Sequence, residues 1–143
     1  NKITGVKLVE RNDSLTREGQ DTFAGARSFD RLPTSIFETS IDLEHPLAFG
    51  LTREKLPVAR ENSLFLAASP NTVARYTEEP LLNGYITAEQ LDALKGSASI
   101  VAASSGRGNV VLFAETPLFR GIWDATTRTF VNAVLFGNSI SSR

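Results

Sequence analysis

The chain has 143 residues, which suffices for one domain that buries roughly two thirds of its unfolded surface around a single core. Its 15 Lys and Arg against 16 Asp and Glu leave a net charge of -1, so it lacks the positive field that nucleic acid demands of a partner. The absence of cysteine excludes disulfides, thiolate metal sites and thiol nucleophiles, and no stretch approaches the roughly 20 apolar residues that cross a bilayer.

Residues 1–35 are predicted to form a poorly ordered linker or loop region, and residues 36–143 an α/β domain. Polar runs dominate the first part, and too little apolar surface is present there to offset the entropy of ordering. The chain also contains no methionine. A chain opening at Asn1 is therefore expected either to have lost a leader or to be a piece of a longer protein.

The first predicted strand covers residues 36–43, where apolar and polar side chains alternate imperfectly. Pro46 biases His45 toward an extended backbone, which predicts a turn at this point. Residues 46–50, with the sequence PLAFG, read as an apolar turn inserted into the core, with Gly50 free to adopt a positive φ.

Two further short strands are predicted, one from Val58 and residues 64–67 and the other over residues 72–76. Residues 78–80, Glu-Glu-Pro, are interpreted as a solvated turn.

A helix is predicted over residues 88–95. Thr87 occupies the N-cap position, Gln90 follows with the spacing of a capping box, and Gly96 supplies the left-handed stop.

Residues 98–103 and 109–114 predict a β-hairpin, because two β-prone runs flank a short loop with two glycines. A last helix is predicted over residues 125–136, with Phe130, Ala133 and Val134 on its inner face. Strands alternating with helices favour an α/β class with a mixed sheet flanked by helices, antiparallel at least at the hairpin.

The chain contains few side chains that could carry out hydrolytic catalysis. A catalytic zinc generally needs three protein ligands, and His45 is the only histidine, so we interpret His45 as structural. Ser104 and Ser105 lie in the hairpin loop without the strained turn that exposes a nucleophilic serine. The sequence therefore predicts no catalytic residue and no metal ligand in this chain.

A candidate polar cluster remains, made of Glu115, Arg120 and Asp124. Glu115 follows the second strand of the hairpin, and the other two come soon after, so they are expected at the end of the sheet, where α/β proteins often place sites. An ion pair of Arg120 with Asp124 or Glu115 that fixes the last loop is the competing interpretation.

Three stretches, taken in order, carry a family likeness: residues 42–50 (DLEHPLAFG), residues 77–86 (TEEPLLNGYI) and residues 106–137, which run from GRG through PLFRG to FVNAVLFG. Together they resemble the C-terminal region of large bacterial zinc carboxypeptidases, relatives of carboxypeptidase A that are exported to the periplasm or beyond. In that family the metallopeptidase domain lies upstream, and the C-terminal region looks like a class I glutamine amidotransferase, or flavodoxin-like, domain that has lost its activity.

The resemblance implies a non-catalytic accessory domain that supports or shapes the upstream peptidase domain in cis, in a periplasmic or extracellular location. Zinc is expected only in that upstream domain, and no cofactor in this chain. The alternative is a module that binds a small ligand, a peptide or a cell-wall fragment on a degenerate amidotransferase-like fold; an independent hydrolase is a third reading. Membrane and nucleic acid are not expected as partners, whereas an open sheet edge would favour a homo-oligomer.

Overall fold

The computed structural model describes residues 34–61 and 65–140. Five strands form one sheet in the order β2-β1-β3-β4-β5: β1 (Ser35–Ile41), β2 (Lys55–Arg60), β3 (Thr72–Asn83), β4 (Ala98–Ser105) and β5 (Gly108–Phe113). The helices are α1 (Ala88–Leu94) and α2 (Asp124–Phe136), and single 3-10 turns lie at Pro46–Ala48, Phe119–Gly121 and Gly137–Ser139. The α/β class is confirmed. Neither α1 nor α2 has the length and apolar character that crossing a membrane requires.

The four strand pairings in this sheet are all antiparallel, so the expected mixed sheet is wrong for residues 34–61 and 65–140. A parallel neighbour requires a crossover that returns the chain to the starting end of the sheet. The segment that contains α1 instead leads into β4 antiparallel to β3, and β4 turns back into β5 through the predicted hairpin, with Ser105 paired to Gly108. No flavodoxin-like parallel arrangement is therefore present in this part of the chain.

The sheet curls, so that the segment after β5 meets β2 at the opposite edge. The backbone N–H of Thr116 donates a hydrogen bond of 3.3 Å to the carbonyl of Ala59. Pro57 also lies on this edge strand, a position that suits a residue without a backbone donor. The curl brings Glu115, the residue before Thr116, toward the end of β2.

The apolar turn predicted for residues 46–50 is present as a 3-10 turn at residues 46–48, and it also anchors α2. Leu47 and Ala48 are buried, and Gly50 has a φ of +79°. The side-chain amide of Asn132 on α2 donates hydrogen bonds of 2.9 Å to the carbonyls of both Leu47 and Phe49. This pair of contacts fixes the last helix against a segment far away in the sequence.

The capping prediction for α1 is confirmed. Thr87 Oγ1 accepts a hydrogen bond of 3.3 Å from the backbone N–H of Gln90, and Gly96 has a φ of +65°. Leu94, at the end of the helix, is fully buried and packs with Phe37 and Tyr76.

One of the three residues predicted to lie on the inner face of α2 does not, because Val134 is 70% exposed. Thr126, Thr129 and Asn132 are the buried residues of this helix. Their side chains bond to carbonyls at Trp123, Ala125, Leu47 and Phe49. Polar side chains with such partners can be buried, so apolar spacing alone assigned the face incorrectly.

Two further segments differ from their predicted structure. Residues 78–80 are solvated at Glu78 and Glu79 as predicted, but they belong to β3 and not to a turn. Leu66 forms only an isolated bridge with Ala98, and residues 62–64 lie outside the described part. The predicted linker also lies outside it, apart from Thr34 and Ser35, of which Ser35 begins β1.

Candidate functional site

The clearest group of buried polar side chains comes from four separate segments. Glu115 follows β5, Ser99 lies on β4, Tyr76 on β3 and Arg60 at the end of β2, and each is nearly or fully buried. Glu115 Oε2 accepts a hydrogen bond of 2.7 Å from the Ser99 hydroxyl and a long one of 3.5 Å from the Tyr76 hydroxyl. We call these four residues the Glu115 cluster.

Aromatic rings surround the cation of this cluster. The guanidinium carbon of Arg60 lies 4.7 Å from the centroid of the Phe65 ring and 5.3 Å from that of Tyr76. Rings at this distance attract a cation through their quadrupole, and the attraction is stronger where water is excluded. The positively charged guanidinium group of Arg60 is therefore held inside the core, close to Glu115.

Burial dominates the electrostatics of the carboxyl group. It raises the pKa of Glu115 to about 7, although the Ser99 hydroxyl, the charge of Arg60 and the Tyr76 hydroxyl each act in the opposite direction. Glu115 Oε1 is buried and accepts no hydrogen bond within the described residues, so part of any negative charge there has no donor. Burial, with the Glu115 charge second, raises the pKa of the Tyr76 hydroxyl well above its usual range.

A carboxyl group whose pKa approaches neutrality has the property of a general acid or base, which makes this cluster the first place to look for chemistry. Substrate access argues against that role. Glu115 is only 4% exposed, and neither of the two described cavities is lined by any member of the cluster. The arrangement fits a polar network that joins β2, β3 and β4 to the segment after β5.

The three residues predicted to form a polar cluster differ in their surroundings, because Glu115 is buried whereas Arg120 and Asp124 are exposed. Arg120 is exposed, with its guanidinium carbon 5.1 Å from the Phe119 ring centroid, and its φ is +51°. Asp124 is exposed at the first residue of α2. Within residues 34–61 and 65–140, no hydrogen bond or ion pair links Arg120 or Asp124 to Glu115 or to each other. Only Glu115 takes part in a polar network.

Sequence reasoning missed the real partners of Glu115. Arg60, Tyr76 and Ser99 have no motif spacing, since they lie on different strands. The pairing of β3 with β4 brings Tyr76 and Ser99 together, and the curl of the sheet adds Arg60. A buried-looking arginine at the end of an apolar strand was the one usable signal, because Arg is almost never fully buried without a partner.

His45 has a local structural role. Its Nδ1 accepts a hydrogen bond of 3.2 Å from the backbone N–H of Leu47, and His45 thereby caps the 3-10 turn. A small cavity of about 20 Å³ lies beside it, lined by Asp42 and Asn71 among others, which is room for one water molecule. In the part of the chain that the structure describes, no three His, Cys, Asp or Glu side chains are grouped so as to hold a metal ion.

A much larger groove lies between the second half of β3 and helix α1. Its volume is about 330 Å³, and it is lined by Glu78, Glu79, Pro80, Leu81, Leu91 and Lys95. Unlike the Glu115 cluster, this groove is open to solvent and mixes charged with apolar side chains.

Comparison with known proteins returned no match to a family model, to a curated protein or to a solved structure.

Proposed function

We propose that this chain is a non-catalytic accessory module of a larger exported zinc carboxypeptidase, and that it supports or shapes the upstream metallopeptidase domain. The observation that carries the non-catalytic part is the enclosure of the Glu115 cluster. Its carboxyl group has a pKa suited to acid–base chemistry, but it is only 4% exposed and accepts a hydrogen bond from Ser99, which supports a structural role.

The resemblance to the carboxypeptidase family supplies the proposed parent protein. Asn132 belongs to the third resembling stretch and donates to Leu47 and Phe49 of the first. The second stretch forms the latter part of β3 and the chain into α1. The first and third stretches are therefore in contact in the fold.

The direction of the strands bears on the amidotransferase-like part of the proposal. A flavodoxin-like sheet is parallel, whereas the described sheet is antiparallel. Under this proposal the parallel strands belong to the polypeptide upstream of the chain, and the chain supplies the antiparallel part of the domain. The exported location and the zinc are likewise proposed for the parent protein, and no residue of this chain is proposed to bind zinc.

The test compares this chain with the protein encoded by its complete gene. We expect the upstream coding sequence to contain a zinc motif of His and Glu three residues apart with a later His. The complete protein should bind zinc and release C-terminal residues from peptides, while the isolated chain should do neither. Stoichiometric zinc in the isolated chain, or peptide turnover by it after rigorous removal of contaminating proteases, would overturn the proposal.

A second candidate function is a binding module for a small ligand or a peptide. The open groove between β3 and α1 favours it. A thermal-shift screen tests this candidate, because a ligand at 100 times its Kd stabilises the folded state by about 2.7 kcal/mol. A screen of peptides and cell-wall fragments without any shift in melting temperature would remove its support.

A further inference from the structure

The groove between β3 and α1 lies beside a stretch of strand whose second edge has no strand neighbour. The pairing of β3 with β4 ends at Arg75, and the last backbone hydrogen bonds on that side join Tyr76 to Ser97 and Gly96. Beyond Tyr76, no backbone hydrogen bond among the described residues joins β3 to α1 or β4. The edge of residues 77–83 therefore faces the groove and not another strand.

A free strand edge flanked by a helix is suited to an added strand. An extended peptide pairs its backbone with the edge, while its alternating side chains enter pockets on either side. The volume of about 330 Å³ is at the lower end of ligand sites, which fits a few side chains of a peptide and not a large folded partner.

The side chains of the groove indicate which peptide would fit. Glu78 and Glu79 are exposed along the edge. The one cation in the lining, Lys95, has its Nζ 2.9 Å from Asp92 Oδ1, and the charges of Glu78 and Glu79 also raise its pKa, so three carboxylates share this single positive charge. The groove is thus negative along the strand.

The apolar part of the lining lies next to these carboxylates. Leu81 is 37% exposed, Leu91 is half-buried and Pro80 is buried. A basic side chain would find the carboxylates, and an apolar side chain would cover Leu81 and Leu91.

We infer that the groove between residues 77–83 and α1 binds an extended peptide segment with basic and apolar side chains, by adding a strand to the free edge of β3. This inference rests on the second candidate function and names the ligand class of that site. It is independent of whether the parent protein is a peptidase.

The experiment uses the whole 143-residue chain and three fluorescein-labelled octapeptides. The first alternates lysine and leucine, the second has glutamate in place of lysine, and the third is the first peptide with alternate backbone amides methylated. Fluorescence anisotropy measures binding, and amide chemical shifts in NMR spectra locate it. We expect only the first peptide to bind, with shifts concentrated at residues 77–83 and along α1.

The double variant Glu78→Lys and Glu79→Lys should weaken binding of the lysine peptide by about tenfold or more, because charge reversal replaces attraction with repulsion. Its matched controls are the single variants Glu44→Lys and Glu61→Lys, which change exposed carboxylates outside the groove and should bind as the natural chain does. Circular dichroism checks that every variant is folded.

Equal binding of the lysine and glutamate peptides would refute the charge argument. Equal binding of the methylated peptide would refute strand addition. If none of the peptides binds, or if a ligand found by thermal shift perturbs amides elsewhere, the groove assignment fails. In the last case the binding-module function still stands, so the two failures are distinguishable.

Discussion

Replacing Glu115 by glutamine tests whether burial controls the charge of this carboxyl group. The folded-state pKa of about 7 lies above the ordinary value of 4.5, so the folded state holds the proton more tightly than the unfolded state does. The resulting stabilisation is fully present below about pH 4.5 and is lost as pH rises to about 7. At about 1.4 kcal/mol for each pKa unit, the loss is on the order of 3 kcal/mol.

Glu115→Gln cannot ionise, so this part of the pH dependence should vanish. Urea unfolding followed by the fluorescence of Trp123, the single tryptophan, gives the free energy of unfolding of both proteins from pH 4.5 to pH 8. From pH 4.5 to pH 8, we expect the free energy of unfolding of the variant to rise relative to that of the natural chain by about 3 kcal/mol. His45 is present in both proteins, so its contribution cancels in the difference.

The control variant is Glu44→Gln, which removes an exposed carboxyl group and should leave the pH profile unchanged. Parallel profiles for Glu115→Gln and the natural chain would refute the reasoning. That result would mean that Arg60 and Ser99 offset the effect of burial, so that the pKa of Glu115 in the fold equals its value in the unfolded chain.

The remaining predictions concern stability and use the same urea assay. Leu94→Ala, at a fully buried position, should lower the free energy of unfolding by about 2–5 kcal/mol, whereas Val134→Ala, at a position 70% exposed, should change it by less than about 0.5 kcal/mol. Asn132→Ala removes two hydrogen bonds to carbonyls and should destabilise by about 1–3 kcal/mol, and a neutral result would contradict the anchoring of α2. Gly84→Ala should destabilise more than Gly106→Ala, since both have a positive φ but only at Gly84 would the new methyl group overlap another side chain, that of Ser35; equal losses would contradict the close approach.

The local elements could be predicted from the sequence because their signals are local. Thr87, Gln90 and Gly96 bound α1 through contacts within a few residues, and the glycine-containing loop specified the β4–β5 hairpin. The turn at residues 46–50 was recognisable in the same way, from a proline, an apolar pair and a glycine. In each case the residues that form the structure are also neighbours in the chain.

The sheet and the site required the tertiary structure. The direction of β4 depends on the end of the sheet at which the segment containing α1 rejoins it. No short sequence motif specifies that path. The exposure of Val134 and the burial of Asn132 follow from hydrogen-bond partners more than 80 residues away, at Leu47 and Phe49.

Glu115 itself could be identified from the sequence, whereas its partners in the Glu115 cluster could not. The sequence identified Glu115 as an acid after a buried strand, but it grouped that acid with Arg120 and Asp124, which are near in the chain and form no hydrogen bond or ion pair with it among the described residues. Strand pairing places Tyr76 and Ser99 beside Glu115 instead, and the curl of the sheet, closed by the bond from Thr116 to Ala59, adds Arg60. The sequence alone determined where helices, turns and one candidate acid lie, because backbone propensity and capping act over a few residues. The tertiary structure decided which strands pair and which side chains share the core, because burial and long-range contacts depend on the path of the whole chain.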